Sequence, residues 1–122
     1  MAGIARVQAK VSVSGPNGVD IFEAAFAQSI TKWTGKRHMT LATATTDQML
    51  VDITTNGIVT VNQFMIVSDQ LISVKLGISG SNVGIPLLAG APLLISGVTL
   101  AAISLSNTSG NTANIDYALA GS

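Results

Sequence analysis

His38 is the only histidine of the chain and stands between Arg37 and Met39. As a general base it would need an activated Ser or Thr and an orienting carboxylate. The sequence offers no Gly-x-Ser-x-Gly elbow, and the nearest acid along the chain is Asp47. The residue pattern therefore reads His38 as a strand or loop side chain facing solvent or a neighbouring subunit. With Cys 0, thiol nucleophiles, thiolate zinc sites and disulfide scaffolds fall away together. The remaining metal ligands are carboxylates, yet Asp20, Asp47, Asp52, Asp69 and Asp116 lie singly, without a D-x-D-x-D-G loop. A calcium ion at an assembled interface is the one metal reading left open. Two of these acids could in principle cleave a glycoside, but nothing marks a pair, and a sugar groove would want more platforms than Trp33 and Tyr117. Glycines sit in hairpins, not in a phosphate-cradling strand-to-helix turn. Asn107-Thr108-Ser109 matches the glycosylation sequon and reads as a plain turn. No catalytic residue, metal or cofactor is assigned, and the expectation is a protein that is not an enzyme.

Six basic and six acidic residues cancel. Without an excess of Lys and Arg, nothing displaces phosphate counterions, so nucleic acid is not an expected partner. Charged residues make up 10% and apolar ones 48%, a balance that favours association through buried subunit contacts. The first residues turn polar too soon for a signal peptide. The uncharged stretch from Leu76 to Ile115 is punctuated by Gly84, Pro86, Gly90, Pro92 and Gly97. That suits short strands and turns better than a membrane span, so no membrane partner is expected.

The elements that must carry these residues are mostly strands. Val7, Ala9, Val11 and Val13 alternate with Arg6, Gln8, Lys10 and Ser12, and Gly15-Pro16-Asn17-Gly18 then forces a turn. Asp20 and Glu23 resemble a capping box, and Phe22, Phe26 and Ile30 recur four apart, which predicts one short helix. A strand over Val19 to Ile30 is the alternative. From Lys36 onward, short apolar runs predict strands over Met39 to Thr45, Met49 to Thr54, Ile58 to Val67, Leu71 to Ile78, Val83 to Leu88, Pro92 to Ile95, Val98 to Ser106 and Thr112 to Leu119. Asn56-Gly57, Ser79 to Asn82, Ala89 to Ala91 and Ser96-Gly97 separate them. The expected fold class is all-β: an antiparallel β-sandwich over 36–122, preceded by an N-terminal arm, 1–35, of a strand plus a short helix.

Positive charge concentrates at Lys32, Lys36 and Arg37 around Trp33. Trp and Arg are enriched at binding hot spots. Together with Arg6, Lys10, Phe22 and Phe26 of the arm, Trp33, Lys36 and Arg37 form the candidate partner-binding set. The rival view is that Val7, Val11 and Val13 complete the chain's own sheets.

Half of the chain carries a resemblance. Phe64-Met65-Ile66-Val67-Ser68-Asp69, then Gly84-Ile85-Pro86-Leu87-Leu88-Ala89-Gly90-Ala91-Pro92-Leu93, then Leu105 to Ala113 and Ile115 to Gly121 resemble small jelly-roll-type β-sandwich proteins of tailed-bacteriophage virions. These are capsid decoration (cement) proteins and related accessory proteins. The resemblance implies a jelly-roll sandwich, a homotrimer and a place on the capsid surface, where the chain would bind the major capsid protein or another virion protein and stabilise the shell. A receptor- or carbohydrate-binding module of a phage fibre or head spike is the alternative. A small enzyme is the least supported class.

Overall fold

The computed structural model describes residues 3–12, 20–50, 58, 60–76, 84–100 and 102–122; within the strands, the side chains of 12, 20–22, 98 and 99 are not described. Eleven strands appear among these residues, and no helix. They are β1 (Gly3–Ser12), β2 (Asp20–Ile30), β3 (Lys32–Trp33), β4 (Arg37–Leu41), β5 (Gln48–Met49), β6 (Val61–Ser68), β7 (Ile72–Leu76), β8 (Gly84–Leu87), β9 (Pro92–Leu100), β10 (Ile103–Ser106) and β11 (Ala113–Gly121).

The pairings from β4 onward are nested. The innermost pair is β7 with β8, then come β6 with β9, β5 with β10 and β4 with β11, all antiparallel. Two further ladders, β11 with β6 and β10 with β7, gather the strands into a four-stranded sheet, β5-β10-β7-β8, and a five-stranded one. In the latter the order is β11-β6-β9, with β3 and β4 both on the outer side of β11.

Alternation decides which side chains turn inward. In β11 every second residue (Ala113, Ile115, Tyr117, Leu119, Gly121) is buried, and the residues between are not. Phe64 and Ile66 of β6 join them from the same sheet, while Ile72, Val74, Leu87, Ile103 and Leu105 come from the other. All belong to one apolar cluster. Every cluster member lies at or beyond Leu41 in the chain.

The helix expected over Asp20 to Ile30 is a strand, β2, paired along its length with β1. Residues four apart share one face of a helix, but they share one face of a strand as well. The Phe22, Phe26, Ile30 spacing therefore could not separate the two, and the alternating partner β1 settled it by pairing Val7 with Phe26 and Val11 with Phe22. A second correction concerns Ser96-Gly97, expected as a break between strands. β9 runs through it, because Gly97 takes a left-handed backbone (φ 69) and the extra residues bulge between the Gln63–Ser96 and Val61–Leu100 pairs. The turns expected at Gly15 to Gly18, Asn56-Gly57 and Ser79 to Asn82 lie outside the described residues.

The loop before β11 hangs on one buried side chain. The Asn107 amide donates to the carbonyls of Leu41 (2.9 Å) and Asn111 (2.8 Å), and its oxygen accepts from the Ser109 amide and hydroxyl. Asn107 is fully buried, so the sequon is a structural element of the turn. Asn107→Ala orphans the buried Leu41 carbonyl and should lower the unfolding free energy by about 1–3 kcal/mol in a urea titration. Asn107→Asp should destabilise at least as much, because a carboxylate would face two carbonyl oxygens.

Candidate functional site

The sequence-predicted residues fall into two groups, one on the first two strands and one from Trp33 to Arg37, and Trp33 meets the first group at the base of those strands. β1 and β2 form a two-stranded ribbon of their own. Directly opposed residues share a face. Gly3, Ala5, Val7, Ala9 and Val11 therefore lie on one face with Ile30, Gln28, Phe26 and Ala24, an almost wholly apolar set. Ile4, Arg6, Gln8 and Lys10 occupy the other face with Ser29, Ala27, Ala25 and Glu23. There Gln8 Nε2 donates to Glu23 Oε1 at 3.2 Å.

The ribbon lies across the outer face of the larger sheet. Gly3 stands against the Trp33 indole in β3, Gln63 of β6 donates to the Ala5 carbonyl at 3.4 Å, and the Phe26 ring reaches Gly97 of β9. Successive contacts thus step from one side of the sheet to β9, its opposite edge. Beyond them Ala9, Lys10, Val11, Glu23, Ala24 and Ala25 are all exposed, on both faces. Under the ribbon base is an open cleft of about 460 Å³ walled by Ile4, Val7, Trp33, Met65, Leu94 and Leu119. Val11 keeps 57% of its surface, Trp33 48% and Phe26 43%. Full burial of such a side chain contributes about 1.5–3 kcal/mol, so a large part of that stabilisation is unrealised in the free chain.

Arg6 and Lys10 sit on the ribbon's polar face, Lys10 opposite Glu23 and Arg6 opposite Ala27. Phe22 pairs with Val11 by backbone register, its side chain lying outside those described. Phe26 is over Gly97. Trp33 flanks the cleft, whereas Lys36 and Arg37 lie at the outer edge of the sheet. There Lys36 Nζ is 3.7 Å from Asp116 Oδ2, and Arg37 pairs with Tyr117 by register. The structure therefore joins Arg6, Phe26 and Trp33 around one ribbon and sets Lys36 and Arg37 apart from it.

His38 has a partner that sequence distance concealed. Its Nδ1 lies 2.9 Å from Asp116 Oδ1, across 78 positions, because β4 and β11 place His38 and Asp116 side by side. The side chains are 58% and 45% exposed, on an open sheet surface where water competes for the pair. Lys75 Nζ donates to Asp47 Oδ1 at 2.6 Å, and Asn114 donates to both Asp69 oxygens from its backbone and side-chain amides. No group of three His, Cys, Asp or Glu residues gathers as a metal site would need among the described residues. Comparison with family models, curated proteins and solved structures finds no match for the chain.

These contacts hold three carboxyls below the ordinary range. For Asp116 the His38 hydrogen bond leads; for Asp47 the Lys75 hydrogen bond leads; for Asp69 the side-chain hydrogen bond from Asn114 leads. Desolvation opposes each. A lowered folded-state pKa means stability that is present above the unfolded value of 3.8 and lost as pH falls through the folded one. Thermal midpoints should therefore fall on acidification below about pH 4. The loss should shrink in the triple variant Asp47→Asn, Asp69→Asn, Asp116→Asn, as read by calorimetry between pH 2 and 6.

Proposed function

We propose that this protein is a non-enzymatic structural subunit of a bacteriophage virion, a decoration or cement protein that binds and stabilises the capsid shell through its β1–β2 ribbon. One observation carries the reading: a long ribbon with an apolar face, whose inner half lies across the larger sheet and whose outer part is exposed on both faces among the described residues. A two-stranded ribbon is marginal in water without further packing. A free edge beside an apolar face is a template for another chain.

Two further features support the reading. The nested ladders, with β4-β11-β6-β9 in one sheet and β5-β10-β7-β8 in the other, support the reading of a jelly-roll sandwich, an architecture used in viral capsid and lectin domains. Few charges on a neutral chain fit a protein that works as a homo-oligomer, which the resemblance to virion sandwiches makes a trimer. The lectin-like alternative, a fibre or spike module, draws on the same architecture. It lacks an equally direct feature, since among the described residues the cleft under the ribbon has Trp33 as its only aromatic wall besides Phe64.

Deleting residues 1–30 tests the proposal. All of the apolar cluster lies beyond that segment, so the shortened chain should still melt in one cooperative transition. It should also fail to co-sediment with purified capsid shells that the full chain decorates. A shortened chain that decorates shells as well as the full one would overturn the proposal.

A further inference from the structure

We infer that the ribbon's partner includes a second copy of this chain, engaged edge to edge so that β1 of one copy pairs with β2 of the next. This rests on the reading of the ribbon as the assembly element and names its occupant.

The two rims of the ribbon differ in charge. Arg6 and Lys10 are the charged residues of β1; Glu23 and Asp20 are those of β2. A two-fold contact between identical rims would set β1 against β1 or β2 against β2, and so put like charges together, which suppresses association. Pairing β1 with the neighbour's β2 does the opposite. An antiparallel register that keeps Val7, Val11 and Phe26 on one face also keeps Arg6, Lys10 and Glu23 together on the other. Opposite charges then alternate from strand to strand.

The contact is head-to-tail, since each copy offers a cationic rim and accepts on an anionic one. Such contacts close into rings or run on as filaments. Closure removes every free edge and encloses the apolar faces of neighbouring ribbons, including the Val11 and Phe26 surface left open in one copy. The Lys10–Glu23 opposition inside each ribbon remains.

A charge-exchanged chain, Arg6→Glu and Lys10→Glu with Asp20→Lys and Glu23→Lys, tests this against the wild type by native mass spectrometry, with one of the two isotope-labelled. The exchange preserves an acid opposite a base within the ribbon. Each chain alone should form the same defined oligomer. In a mixture, both cross-contacts bring like charges together, so mixed oligomers should fall at least about tenfold below the statistical proportion. Free mixing would overturn the edge-to-edge inference while leaving the ribbon's role on a shell intact, since shell binding is read separately. A wild-type chain that stays at 12.4 kDa up to the highest attainable concentration would overturn it as well. If the exchanged chain fails to fold, Arg6→Glu alone serves. Arg6 faces Ala27 within the ribbon, so that variant alters the β1 rim without touching the internal pair and should raise the concentration needed for assembly. An unchanged concentration dependence would overturn the inference.

Discussion

The last strand holds the larger sheet together. β11 pairs with β3 and β4 on one side and with β6 on the other, so three of the four ladders described in this sheet run through it. Its inward residues, Ala113 to Leu119, enter the core, and its outward ones meet His38 and Lys36. At its end a Cβ on Gly121 would overlap the Thr60 carbonyl, and Ser122 and Thr60 exchange backbone hydrogen bonds of 2.9 Å there. The Thr31 amide donates to the Gly121 carbonyl at 3.0 Å, which ties the base of the ribbon to the same point. The position of the ribbon thus depends on a strand far from it along the chain.

From that anchor the chain divides by what it can bury. Residues from Leu41 onward enclose an apolar cluster between two sheets, where each strand needs only one apolar face. The ribbon has one apolar face too, but it crosses the sheet and extends past the contact with Gly97. Packing by its own chain therefore covers the inner end of that face and leaves the outer end to water. A feature that leaves Val11 and Phe26 partly exposed has a natural explanation in an interface. The same geometry leaves Arg6, Lys10 and Glu23 exposed on the ribbon's other face.

Much of the sheet architecture was legible in the residues because period-2 alternation and turn chemistry are local signals. β1, β6, β7, β8 and β11 fall within a few residues of the apolar runs that predict them. What was not legible required information from far along the chain. The Phe22, Phe26, Ile30 spacing is neutral between helix and strand, and only the pairing with β1 resolved it. Gly97 reads as a stop, but a left-handed glycine can also host a bulge, and the neighbouring β6 selects the bulge. Among the site residues, types and alternation placed Arg6, Lys10 and Trp33 at exposed positions. Asp116 as the partner of His38 carried no local signal, because strand order alone brings them together.

The central claim is that the ribbon is an assembly element whose outer part is completed by contact with other chains. Backbone hydrogen exchange followed against protein concentration tests it most directly, since exchange reports the opening of each strand separately. The account predicts that amides of β1 and β2 exchange rapidly in dilute protein and become protected as concentration rises, while those of β6, β7, β10 and β11 stay protected throughout. Ribbon amides as protected as the core at the lowest concentration, with no change on raising it, would contradict the account.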